Sequence, residues 1–383
     1  MSAAAALCLL VLVLAGCATT NLAPVTTGSF AMEEDEQRLW ARVEKEQAAL
    51  EKSGIIYSNE EIERYLNEIA RRLQPPDVVK AIPFTVKVIN NYHLNAFAFP
   101  NGALYIHTGI LARMENEAQL ATLLAHEMTH ATHRHTVKAF RDIKNKTAFL
   151  AAFQVTFGGF GGLAAIGTLA AVTGYSRELE TEADMEGLQA MVRAGYDPTE
   201  APKLFIHLKQ EVEEEEIKEP FFFGSHPRLK ERIENYETFL QEYGRKTGVK
   251  NAEIFFAKTG GVILDNALLD LKAGRFKSAQ RGIERYLAVR PNDAKAHYLL
   301  GEVFRQRGEK DDAEKARACY AKAISADPTY SDPYKGLGLV HYKSGERALA
   351  QKHLKSYLAL APAAPDRAYI EEYIRQCEGG DRK

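Results

Sequence analysis

Cysteine is scarce, four in 383 residues, which is too few for a disulfide scaffold. Neither sign of charge dominates, because 49 basic residues face 51 acidic ones, and this removes the electrostatic footprint of a nucleic-acid binder. There is no Ser-His-Asp or cysteine-nucleophile signature. The glycines from Gly158 to Gly174 lack the following Lys-Ser/Thr of a phosphate cradle, so they read as structural. Disorder is excluded in turn, since 46% of residues are apolar and 26% charged, an ordinary globular balance. The length suits two or three domains.

The first residues read as an address. Ala3 to Gly16 is a run of apolar and small residues, too short to span a bilayer and of the length of a signal-peptide core. It ends in Leu14-Ala15-Gly16-Cys17, which resembles the bacterial lipobox, with Cys17 as the lipidated residue; a plain secretory signal is the alternative. No Lys or Arg precedes the run, so a start further upstream is one reading. Ala18 in place of Asp points to the outer membrane, with acyl chains as the anchor. Cys319 and Cys377 then remain, expected as a buried thiol and as a free or exposed one.

Asn21 to Ser29 reads as a tether. Glu33 to Lys52 carries Leu39, Val43 and Leu50 at helical spacing, and Ser58-Asn59-Glu60-Glu61 has the form of a capping box opening a second helix that Pro75-Pro76 stops. Phe84, Val86 and Val88 alternate as a strand, and Pro100-Asn101-Gly102 joins two short apolar runs as a hairpin. Asn116 with Gln119 caps a helix expected to reach about Phe140. Thr147 to Ser176 has no charge and could cross a membrane, but its six glycines from Gly158 to Gly174 favour two short buried helices over a membrane-dipping hairpin. Asp197-Pro198 starts another helix, and the acidic stretch Glu211 to Glu219 reads as a solvated face or loop.

Beyond residue 260 the pattern repeats. Pro291, Pro328 and Pro362 each close an Ala-rich helix; Ala279, Ala316 and Ala350 hold one phase before them, and Ile283, Tyr320 and Leu354 another. Gly301 and Gly338 occupy the small position of the first helix, where the first unit has Ala267, and Tyr369 to Gln376 suits a capping helix. This resembles the tetratricopeptide pattern of stacked helix pairs with a concave face for partners.

The chemistry sits at His126-Glu127-Met128-Thr129-His130. On a helix, residues i and i+4 share a face, so both imidazoles can reach one metal, and Glu127 lies beside the remaining coordination site. Leu120, Leu123 and Leu124 make that helix buried, where an unpartnered His pair would be costly. His133 lies too far along the axis to join them, so His133 and His135 read as supporting or surface groups. Downstream, Glu180 and Asp184 are again i and i+4: one can meet the metal while the other orients a metal-bound histidine by accepting its ring N–H.

His126-Glu127-x-x-His130 followed by Glu180-x-x-Ala183-Asp184 resembles the M48 family of zinc metallopeptidases. A lipobox in front and repeats behind make the chain similar to its periplasmic, BepA-type branch, from about Glu36 to Glu378. The resemblance implies Glu180 as the third zinc ligand, with Asp184 supporting the ligand set, one Zn2+ per chain, and a mainly helical gluzincin domain with a small sheet. It also singles out Asn95, either a hydrogen-bond partner of substrate near the scissile carbonyl or a turn-forming residue. Ser225-His226-Pro227 resembles a motif that returns a histidine to the site. There His226 is a donor to the oxyanion, a structural loop residue, or an inhibitory fourth ligand.

The expected architecture is α+β, mainly α: a lipoprotein signal over 1–17, a tether over 18–32, a zincin-type metallopeptidase domain over 33–250, and an all-α tetratricopeptide solenoid over 251–379. The expected function is a periplasmic, lipid-anchored zinc endopeptidase acting on unfolded or misassembled exported proteins, with the repeats binding a protein partner and no nucleic acid. A largely latent protease acting as a repeat-based chaperone or scaffold is the alternative.

Overall fold

A computed structural model of the chain describes residues 22–25, 30–145, 175–216, 229–243 and 247–379. Cys17, residues 147–174 of the glycine-rich segment, and His226 lie outside the described residues. The chain divides into two compact units, Met1–Val212 with Ile217–Lys258, and Glu213–Glu216 with Thr259–Lys383. No helix among the described residues is long and apolar enough to cross a membrane.

The first unit opens with α1 (Glu34–Lys52), which buries Leu39, Val43 and Leu50 as their spacing predicts. Leu22, within the stretch expected as a tether, is buried with Leu39 and Val137. α2 (Glu60–Leu73) is capped by Asn59 rather than by Ser58: the Asn59 side chain accepts from the N–H groups of both Glu61 and Ile62. Pro76 ends nothing further; it takes the first position of a short helix, α3 (Pro76–Ala81), where its missing N–H costs no bond.

Three strands follow in the order β1-β3-β2. β2 (Ala96–Ala98) and β3 (Ala103–His107) form the expected hairpin, with Phe97 opposite Tyr105. β1 (Thr85–Ile89) pairs parallel to β3, Val86 opposite Leu104. After a single turn, α4 (Thr108–Leu111), comes α5 (Glu117–Thr132), which is buried along all its length. Asn116 caps α5 by accepting from Gln119 N–H.

The helix expected to reach Phe140 is in fact two. It ends at Thr132, Arg134 takes a left-handed φ of 59°, and α6 (His135–Asn145) starts afresh. A non-glycine residue in that region is disfavoured by about 1 kcal/mol. Here a buried ion pair compensates, Arg134 clamping Glu36 of α1 through Nε and Nη2.

α7 (Arg177–Arg193) begins at the Ser176 cap and packs along α5. A 3₁₀ turn at Pro198–Glu200, capped by Asp197, leads into α8 (Ala201–Glu214), and α9 (Leu229–Tyr243) packs on α7. Glu211 corrects the solvated-face expectation, because it is fully buried and pairs with Arg113 at 2.6 Å.

The second unit stacks helix pairs from α10 (Ala252–Lys272) and α11 (Phe276–Val289) through α12 (Ala294–Arg307), α13 (Asp312–Ala326), α14 (Asp332–Lys343) and α15 (Arg347–Leu360) to α16 (Arg367–Gly379). Ala279, Ala316, Ala350, Ile283, Tyr320 and Leu354 are all fully buried. Gly301 and Gly336 both face the Tyr320 ring, where an added Cβ would lie 2.5 and 2.4 Å from it. Cys319 is buried, which pushes its thiol up to about 11, and Cys377 is a free thiol but buried rather than exposed.

Candidate metal centre

α5 and α7 cross where α7 has no side chain. A Cβ on Gly187 would lie 3.0 Å from His126 N and 3.2 Å from its Cα, so any other residue would have to push the two backbones a few tenths of an ångström apart. Glu180, Asp184 and Gly187 stand at i, i+4 and i+7 on one stripe of α7. The close approach at Gly187 therefore brings both carboxylates to the histidine face of α5.

His126 Nε2, His130 Nε2 and the Glu180 carboxylate converge, with ligand atoms all within 4.8 Å of one another. His126 Nε2 lies 3.1 Å from His130 Nε2 and 3.7 Å from Glu180 Oε2, and His130 Nε2 lies 3.5 Å from Glu180 Oε1. Bonds of about 2.0–2.1 Å to a tetrahedral zinc would set ligand atoms about 3.4 Å apart. The observed triangle brackets that spacing, and two imidazoles with a carboxylate are a donor set that zinc accepts. These three residues could hold one such ion. Glu127, one residue beyond His126, is 2% exposed on the same helix.

The other ring nitrogens are occupied. Asp184 Oδ1 is 2.9 Å from His126 Nδ1, placed to accept its N–H in the tautomer that leaves Nε2 with the lone pair. Nη2 of Arg232, on α9, is also within hydrogen-bonding reach of that nitrogen at 2.9 Å, and the same guanidinium grips Asp184, with Nε 3.1 and 3.0 Å from the two oxygens and Nη2 2.5 Å from Oδ1. Tyr236 donates to the same carboxylate at 2.9 Å. On the second imidazole, His130 Nδ1 meets His135 Nδ1 at 2.9 Å, and His135 Nε2 donates to Glu182 at 3.1 Å. Burial lowers the pKa of His135, and the His135 bond, opposed by partial burial, draws the Glu182 carboxyl down to about 2. The ring of Tyr175 stacks on His130 at 3.9 Å and its hydroxyl pairs with Thr136 at 2.9 Å. His133 is buried against Thr132, with a pKa pushed down to about 4 by desolvation.

Asn95 is buried immediately before β2, the strand edge that packs on α5, and its carbonyl accepts from His107 N–H. The start of α5 is held by Glu117, which takes 2.7 Å hydrogen bonds from Tyr65 and Tyr196 and further ones from Asn251 and Arg72. Of the residues not named from the sequence, only Gly187 and Glu182 carry a local signal, since they share a helix with Glu180. Arg232, Tyr236, Tyr175 and Glu117 carry no local signature, because their partners are distant in the chain.

Residues 57–239 match the model of peptidase family M48, and residues 264–331 match a tetratricopeptide repeat model. The beta-barrel assembly-enhancing protease of Escherichia coli (strain K12) is 25% identical over 272 residues, which cover 60% of this chain and 55% of that one. Its Yersinia pestis counterpart is 26% identical over 207 residues, 51% and 42% of the two chains. The mitochondrial metalloendopeptidase OMA1 of Schizosaccharomyces pombe is 32% identical over 184 residues, 46% and 53% of the two. The matched stretch spans about half the length of these relatives. The chain thus carries a stretch similar to peptidase family M48, over residues 57–239, followed by one similar to tetratricopeptide repeats, over residues 264–331.

Proposed function

We propose that the chain is a zinc-dependent endopeptidase, and the observation that carries this reading is the triangle of His126 Nε2, His130 Nε2 and Glu180, with buried Glu127 following His126 on the same helix. A zinc ion held by these three residues would supply Lewis acidity, lowering the pKa of water and polarising a peptide carbonyl. Glu127 is the general base: it takes the proton of the attacking water and passes it to the leaving amine. Asn95 and His226 are the candidates to hydrogen-bond the substrate carbonyl and its tetrahedral oxyanion. Asp184, fixed by Arg232 and Tyr236, keeps the His126 proton on Nδ1.

The natural substrates on this reading are misfolded or misassembled exported proteins, with the repeats recruiting a protein partner and Cys17 anchoring the chain by lipid to the periplasmic side of the outer membrane. The lipobox, the repeats and the names of the bacterial relatives support it. A latent protease acting as a scaffold is disfavoured by Glu127, since a binding protein has no physical need of a buried carboxylate there.

Zinc content and casein cleavage, measured on the wild-type chain beside Glu127→Gln, test the reading. The expected result is one zinc in both, with cleavage falling by about 10²–10⁴-fold in the variant. Zinc in both without cleavage in either would point to a latent enzyme, and absence of zinc would end the metallopeptidase reading.

A further inference from the structure

Two histidines facing each other through like atoms pose a proton-counting problem. His130 Nδ1 and His135 Nδ1 are 2.9 Å apart, and a neutral imidazole carries one N–H, so a single proton must sit between these two nitrogens. It can belong to either ring. If His130 holds it, His130 donates and its Nε2 keeps a lone pair; that lone pair faces the His126 Nε2 lone pair at 3.1 Å and the Glu180 carboxylate, an arrangement that suits a bound cation rather than a hydrogen bond. If His135 holds it, neutral His130 must carry its own proton on Nε2, the atom that would otherwise bind a metal.

The groups around His135 choose between the two. Glu182 Oε2 lies 3.1 Å from His135 Nε2, and a carboxylate only accepts, so it requires the His135 proton on Nε2. His135 Nδ1 is then left as an acceptor, and the shared proton falls to His130. The ring planes that make this chain possible are set by the fold. Arg134 breaks the helix at a left-handed φ and returns fully buried His135 toward His130, while Tyr175 stacks on the His130 ring.

We propose that Glu182, acting through His135, is a positioning residue that holds His130 in the tautomer presenting Nε2 to the metal. The proposal rests on reading His126, His130 and Glu180 as metal ligands. Asp184 does the same for His126 directly, whereas His130 is served at one remove, by an imidazole between the carboxylate and the ligand. The same helix, α7, thereby supplies the third ligand and both carboxylates that set the proton on the other two.

The full chain with Glu182→Ala, Glu182→Gln and Glu182→Lys tests it, with Glu186→Lys on the same helix as the charge control. Two quantities are read: zinc affinity by competition with a chromophoric chelator, and the protonated nitrogen of His130 by ¹⁵N NMR of the metal-free chain. Glu182→Ala is expected to weaken zinc binding by about 10–100-fold and to mix the His130 tautomers. Glu182→Gln keeps an oxygen acceptor and is expected to retain most of the affinity. Glu182→Lys offers only donors, so it reverses the chain and moves the His130 proton to Nε2; Glu186→Lys changes neither reading. If Glu182→Ala loses its fold, the Gln and Lys variants decide the outcome alone. Wild-type affinity and an unchanged His130 tautomer in Glu182→Lys would overturn the relay and leave the metal centre standing. A wild-type chain that takes up no zinc would overturn both.

Discussion

Arg232 is the cation that allows Asp184 and Glu180 to be buried side by side. It is 2% exposed, its guanidinium lies over the Phe205 ring at 4.1 Å, and Nη1 reaches within 3.8 Å of Glu180. Burial alone would lower its pKa, but Asp184 and Glu180 outweigh burial and raise it, so it stays charged. Arg232→Ala strands Asp184 as a buried charge, and chemical denaturation is expected to show a loss of about 3–5 kcal/mol. His107 titrates in the opposite sense. Burial, helped by His93, pushes its pKa down to about 3 against the ordinary 6.5, so it folds as the neutral ring. Its share of stability is whole above pH 6.5 and is lost as pH falls from 6.5 toward 3. Urea midpoints for wild type and His107→Gln should therefore converge on acidification, the wild type losing about 2–3 kcal/mol more between pH 7 and 4.5. Parallel curves would mean that the ring is solvated in the native state.

Elements meet at one glycine, and the candidate metal site depends on it. Gly187→Ala places a methyl against the backbone of α5 at Ala125 and His126, so that a fully buried helix has to shift by a few tenths of an ångström. Overpacking of this kind costs about 1–3 kcal/mol, and here the strain falls on the two helices that carry the ligands. The variant is expected to fold with zinc affinity reduced more than its stability, as read by chelator competition and thermal melts. At this scale the sequence was legible where order is local. Spacing within α1, the β2–β3 hairpin, the Asn116 cap and the His126/His130 pair on one helix face each depend on neighbours in the chain. The end of α5 was not legible. His133-Arg134-His135 contains no Gly or Pro to stop a helix, and the break is stabilised from afar by Glu36, 98 residues away. With the helix drawn through to Phe140, His135 falls on a remote turn; with the break in place it touches His130. Glu211 was misread for the same reason, its partner Arg113 lying 98 residues away.

At the scale of the whole molecule the two units were legible to different depths. The repeats announce themselves because the Ala, Gly and Pro phases that build them recur along the chain and their packing is between neighbours, as with Tyr320 against Gly301 and Gly336. The first unit draws its candidate site from α5, α6, α7 and α9, so a single sequence reveals the ligands but not the Arg232, Tyr236 and His135 that hold them. The chain has one tryptophan, and Trp40 lies on α1, within the unit that carries the candidate metal ligands. An ion bound only by the folded state adds RT ln(1 + [L]/Kd), about 2.7 kcal/mol when free ion is at a hundred times its dissociation constant. Unfolding followed at Trp40 should therefore move to lower temperature on chelation and return on adding zinc, while His126→Ala, which lacks one ligand, should show neither shift. A wild-type transition that ignores chelator and zinc alike would mean that His126, His130 and Glu180 hold no ion in solution, and the buried triangle would then need another explanation.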